Sequence, residues 1–180
     1  MRMVVIYESM FGNTRAIATA IAEGLGPSDD VQAVRVVDAD AAILEGADLV
    51  VVGGPTHARS MSRPGTRKGA PGYVHKPGSD ISLEPGADTG PGVREWLDSL
   101  DHVHANAAAF DTRVKGPALL TGRASKAIDH RLRNHGVKVV ATPESFLVDR
   151  KNHLLPGETA RARAWGAQLA VVARHDAIGT

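Results

Sequence analysis

Short apolar runs alternate along this chain with segments whose apolar positions recur at helical spacing. Met3 to Tyr7 is a continuous apolar run, and Asn13 to about Leu25 carries Ile17, Ala18, Ile21, Ala22 and Leu25 on one helical face. Val31 to Val37 mixes valines with Gln32 and Arg35, which predicts a strand nearer a sheet edge. Asp40 to Leu44 predicts a short helix. Asp48 to Val52 is apolar on both alternations, predicts a central strand, and is stopped by Gly53-Gly54-Pro55. A short helix is predicted after Gly92, with Val93, Trp96, Leu97 and Leu100 inward. Ala105 to Phe110 predicts a fourth strand whose small alanines admit close helix packing. Ser125 to Asn134 predicts a helix that starts as early as Leu119 if its first turn is included. Val137 to Ala141 predicts a fifth strand, and Ser145 to Val148 a further short extended run beyond Thr142-Pro143. A last helix begins near Pro156 to Thr159, with Ala162, Trp165, Leu169 and Val172 inward.

Strands alternating with helices in this way predict βαβ units and a parallel sheet covered on both faces, an α/β fold in one domain of 180 residues. The exception is Gly53 to Gly92, with nine of the 19 glycines and six of the ten prolines, which largely excludes regular structure there. A loop this long inside a compact domain is functional or disordered. It carries Arg59, Arg63, Arg67, Lys68 and Lys76 before Asp80, Glu84 and Asp88. One reading is a solvated flexible insertion; the sharper one is a lid or docking segment, centred on Ser60 to Arg67, whose basic half meets an anionic substrate or an acidic partner.

Composition narrows the chemistry. With 43% hydrophobic residues the chain has material for a core, and 21 basic against 20 acidic residues leaves a formal +1. That balance gives no global field for nucleic acid. Zero cysteines exclude disulfides, thiolate metal sites and a cysteine nucleophile, so redox chemistry would need a bound cofactor. No apolar run approaches the roughly 20 residues of a spanning helix, and the first residues do not read as a signal peptide, so a cytoplasmic protein is expected. The pair His102 and His104 lacks a supporting ligand set, and no metal site is expected.

In an open α/β sheet, ligands bind at the carboxyl ends of the strands. After the first strand, Ser9-Met10-Phe11-Gly12-Asn13-Thr14 opens directly into a helix, where backbone N–H groups, the Ser9 and Thr14 hydroxyls and the Asn13 amide suit a phosphate. The plainer alternative is that the hydroxyls only cap the helix. The loop holds no Lys or Arg before Arg15, which favours a terminal phosphomonoester over a triphosphate with magnesium. The patterns GxxxxGK[ST] and GxGxxG are both absent.

Tyr7 to Thr14 resembles the flavodoxin phosphate loop. Gly53-Gly54-Pro55-Thr56-His57 resembles the second flavin loop of that family, and Phe110-Asp111-Thr112-Arg113 falls where a third follows strand four. The resemblance runs in order along nearly the whole chain. It implies a flavodoxin-like doubly wound, five-stranded parallel sheet of order 2-1-3-4-5 with a long loop after strand three. It also implies flavin mononucleotide (FMN), with Ser9, Met10, Phe11, Gly12, Asn13 and Thr14 on the phosphate, Pro55, Thr56 and His57 on one side of the ring, and Asp111, Thr112 and Arg113 on the other. The expected function is non-covalent FMN-dependent electron transfer or quinone-type small-molecule reduction. Its partners would be a redox protein or a small acceptor, with NAD(P)H as a candidate donor.

Three features depart from that family. Phe11 stands where a hydroxyl residue is common, neither ring loop carries a stacking Trp or Tyr (leaving His57 and Tyr73), and the isoelectric point near 8.2 is not that of an acidic shuttle. They motivate the alternative of a binding or regulatory module that kept the fold and lost tight FMN binding. A response regulator is disfavoured, because Gly53-Gly54 stands where an aspartate is needed.

Overall fold

In a computed structural model, residues 1–26, 31–76, 78–100 and 105–178 are described. His102 and His104 lie outside them. The strands are β1 (Met3–Tyr7), β2 (Val31–Arg35), β3 (Leu49–Pro55), β4 (Asn106–Val114), β5 (Lys138–Val139) and β6 (Glu144–Val148). The helices are α1 (Asn13–Leu25), α2 (Pro64–Lys68), α3 (Pro71–Val74), α4 (Val93–Asp98), α5 (Ala118–Thr121), α6 (Ala124–Asn134) and α7 (Glu158–Ile178), with 3₁₀ turns at Val36–Asp38 and Ala41–Leu44.

All described strand pairs are parallel, in the order β2-β1-β3-β4-β5, with β6 also on β4. β5 pairs with Asn106 and Ala107 and β6 with Phe110 to Val114, so the two short strands occupy one edge position in succession. The predicted order is therefore present, with its fifth position split into two strands. The split falls at Thr142-Pro143, where proline cannot donate to a ladder.

Strand alternation divides the core into two layers. Met3, Val5, Tyr7, Leu49, Val51, Ala108 and Phe110 face α1 and α7. Val4, Ile6, Val50, Val52, Ala107 and Ala109 face α4 and α6. On the first face Phe110, Phe146 and Trp165 meet pairwise at ring-centroid distances of 6.1–6.4 Å. Gly53 lies opposite Phe110 in the β3–β4 register, and a Cβ there would stand 2.1 Å from the ring.

Two sequence expectations change. The chain from 53 to 92 is not devoid of regular structure, since it forms α2 and α3 and contributes Met61, Arg67, Ala70, Glu84 and Ala87 to the interior. β4 does not end at Phe110 but runs through Asp111, Thr112 and Arg113, which pair with β6 on one side, while Asp111 and Thr112 pair with β3 on the other.

Candidate functional site

The site lies at the carboxyl end of the sheet, where the loops after β1, β3, β4 and β6 converge. β1 delivers Glu8 and Ser9, both buried, and Gly12 then adopts φ 86° at the N-cap of α1. That left-handed conformation suits glycine. No side chain caps α1, so the N–H groups of its first turn have no side-chain acceptor at the cap. The Ser9 hydroxyl accepts the Gly12 N–H at 3.2 Å. The Thr14 hydroxyl is buried 2.7 Å from that of Thr112. When Thr112 donates in that pair, the Thr14 O–H is free to donate elsewhere. Asn13 is less free than the sequence suggests, because its amide donates to the Asn152 carbonyl at 2.7 Å.

The loop's neighbours include a carboxylate. Glu84 is buried, its backbone N–H bonds the Met10 carbonyl at 2.8 Å, and its Oε1 pairs with the Arg15 guanidinium at 2.8 Å. The same oxygen would lie 3.6 Å from a Cβ at Gly12. Arg15 is thus neutralised, and the loop offers neutral donors, as its lack of basic residues implies.

After β3, His57 and Ser60 exchange backbone hydrogen bonds of 2.7 and 3.0 Å around Ala58 and Arg59, at φ 46° and 72°. Two successive non-glycine residues with positive φ form a turn that ordinarily takes Asn-Gly, and strain of this kind concentrates at functional sites. The turn rests on Gly122, where a Cβ would meet the Arg59 carbonyl oxygen at 2.1 Å. The Thr56 hydroxyl accepts the Ala124 N–H at 2.9 Å, at the start of α6. Burial pulls the His57 imidazole below its usual range, so it is neutral at pH 7.

The structure moves the third sequence-predicted group. Asp111, Thr112 and Arg113 are strand residues, not a loop. Asp111 is fully buried and accepts the Ser125 N–H at 2.7 Å, while Arg113 donates to Gly116 and Thr121 at 2.9 Å and shapes the true post-β4 loop, 115–123. That loop carries Leu119 and Leu120, 88% and 63% exposed, which the sequence reading missed. Apolar residues so exposed beside the His57 turn are candidates to cover an aromatic ring.

The basic lid also changes. Arg67 is buried, bonded to Ser62 at 2.9 Å and paired with Glu95 at 2.8 Å. Glu8 accepts the Val93 N–H at 2.9 Å beside it. This knot ties the two ends of the insertion to the β1 loop, and Arg67 is not available to an anionic substrate.

Burial raises Glu8 and Asp111 above their ordinary values of 4.5 and 3.8. Both favour the protonated form in the fold, so their stabilisation is complete below those values and is lost as pH rises through the raised ones. The contribution of Glu8 and Asp111 to stability should therefore shrink as pH rises, and Asp111→Asn, which keeps an acceptor for Ser125, should lose less stability than the parent protein over that rise. Parallel slopes for the two proteins in a calorimetric pH series would count against this assignment.

Residues 4–64 match the family model of the flavodoxin domain. An archaeal flavodoxin structure superposes with a TM-score of 0.63 at 20% identity, over 97% of this chain and 100% of that one. The chain has the flavodoxin fold. Flavodoxin 1 of Bacillus cereus gives 0.62 at 20% identity, over 95% of this chain and 98% of that one. A flavodoxin, WrbA-like protein of Agrobacterium tumefaciens gives 0.60 at 19%, over 97% and 98%. No curated protein matches the sequence. Among the described residues, no helix of this flavodoxin-like chain is long and apolar enough to cross a membrane.

Proposed function

We propose that this flavodoxin-fold chain binds FMN non-covalently and passes electrons between a donor and either a redox protein or a small quinone-type acceptor. The observation that carries this reading is the uncapped start of α1, with Gly12 left-handed and the Thr14 hydroxyl at its base. The donor set fits a phosphate: first-turn N–H groups and hydroxyls, with the Glu84 carboxylate beside Gly12 neutralised by Arg15.

Loop 9–14 would hold the phosphate. The strained turn at 57–60 and the leucines of loop 115–123 would border the ring, in place of the aromatic residues those loops lack. Bound there, a flavin supplies one- or two-electron chemistry, and the protein tunes it through nearby backbone groups and charge. The neutral His57 adds no positive charge to that border. The near-balanced net charge favours a small acceptor or an unspecialised partner over electrostatic steering. NAD(P)H is the proposed donor.

Purified protein mixed with FMN and desalted tests the reading. Flavin absorbance should co-elute with the protein, whereas a module that had lost the cofactor would elute colourless.

A further inference from the structure

A second concavity adjoins the phosphate loop without belonging to it. It is a cleft of about 330 Å³ between the insertion and the turn after β6, lined by Tyr73, Lys76, Asp80, Arg150, Lys151 and Asn152. The volume lies within the roughly 300–1,000 Å³ of small-molecule sites. Two contacts join it to the loop: Tyr73 meets Phe11 with ring centroids 6.3 Å apart, and the Asn152 carbonyl accepts the Asn13 amide. A third closes its wall, where His153 Nε2 lies 3.1 Å from Asp80 Oδ1.

Around the cleft, cations outnumber carboxylates three to one: Lys76, Arg150 and Lys151 against Asp80. Arg15, Arg67, Arg131, Arg133, Lys138, Arg161 and Arg163 are all matched to carboxylates. Among the described residues, no carboxylate pairs with Lys76, Arg150 or Lys151. Three unmatched cations around one concavity call for an anion. Two further features shape the ligand. The buried Nδ2 of Asn152 has no partner, and its backbone is held at φ 69°. Tyr73 is 50% exposed, with the Lys76 ammonium 4.4 Å from its ring centroid. An open aromatic ring beside cations and a spare amide donor suits a planar base carrying a phosphate.

We infer that this cleft binds the phosphorylated adenosine portion of a nucleotide, with the base on Tyr73 and the phosphate between Arg150, Lys151 and the Asn152 amide. Ile81 extends the apolar wall beside the base. The inference does not depend on flavin binding. Two sources share this chemistry: a pyridine-nucleotide donor, or the adenylate half of a flavin dinucleotide.

Isothermal titration of the full chain with 5′-AMP, 2′,5′-ADP and inorganic phosphate, without flavin, tests it. At least one adenosine phosphate should bind, at least about tenfold more tightly than inorganic phosphate, in line with the worth of stacking one base. The exposed double variant Arg150→Gln/Lys151→Gln should weaken that binding by about tenfold or more at an unchanged melting temperature. Tyr73→Ser should reduce the preference over inorganic phosphate and leave phosphate itself unaffected. Preference for 2′,5′-ADP assigns the site to a donor carrying a 2′-phosphate, and preference for 5′-AMP to a 5′-linked adenylate. Absence of binding at millimolar nucleotide, equal affinity for inorganic phosphate, or indifference to the double variant overturns the inference. Flavin retention by the same preparation is read separately, so this site and the flavin reading fail independently.

Discussion

Gly166→Ala should melt about 2–8 °C below the parent protein. Gly166 lies where α7 crosses α1 on one face of the sheet, and a Cβ there would sit 2.3 Å from the Ile21 carbonyl oxygen and 3.2 Å from the Gly24 Cα. Gly24 makes the reciprocal contact, with a Cβ 2.0 Å from the Arg163 carbonyl oxygen. These neighbours are backbone atoms within helices, so relief requires the helices to part. Parting them loosens Ile17, Ile21, Trp165 and Leu169, which fill the layer beneath. Overpacking of this kind costs about 1–3 kcal/mol or more, above the roughly 1 kcal/mol that alanine gains over glycine in a helix. Gly65→Ala provides the control, because nothing lies within 4 Å of a Cβ there. An unchanged or raised melting temperature for Gly166→Ala would contradict the close crossing.

Thr14→Ala should weaken FMN by about 10- to 100-fold and riboflavin by less than about threefold. The two ligands differ only in the phosphate, and a hydroxyl bonded to a charged group is worth about 1.5–3 kcal/mol. Thr14 stands at the start of α1 with its hydroxyl 2.7 Å from that of Thr112. The substitution also strands the buried Thr112 hydroxyl, so stability is measured alongside affinity. Thr14→Ser keeps the hydroxyl and should recover most of the discrimination. Equal losses for FMN and riboflavin would remove Thr14 from the phosphate site.

Much of the fold was legible because its signals are local. The apolar alternation of β1 and β3 and the helical spacing of Ile17, Ile21 and Leu25 reappear as the two core layers. The helix predicted over Asn13 to Leu25 has those ends in the structure. Legibility failed where long-range pairing decides. Asp111-Thr112-Arg113 looks like a loop by polarity, but flanking strands recruit it into β4, and Asp111 finds the Ser125 N–H. Arg67 and Glu84 look like solvated charges in a glycine-rich stretch. Their partners Glu95 and Arg15 lie outside that stretch, and no local pattern announces them.

The candidate site divides in the same way. The β1 loop was readable because a strand, Gly12 and a helix start follow one another directly. The exposed Leu119-Leu120 pair beyond the extended β4 carried a signal that could have been used, as two consecutive apolar residues between Pro117 and Gly122 are unusual in a surface turn. The cleft at Tyr73 and Arg150 to Asn152 had none, because it forms only when the insertion reaches the turn after β6.

The central claim, that loop 9–14 holds the phosphate of a flavin, is tested most directly by titrating the purified protein with FMN and with riboflavin while following flavin fluorescence. The account predicts saturable one-to-one binding of FMN, with riboflavin bound at least about tenfold more weakly. Equal affinity for the two, or no binding of FMN at micromolar concentration, would contradict it.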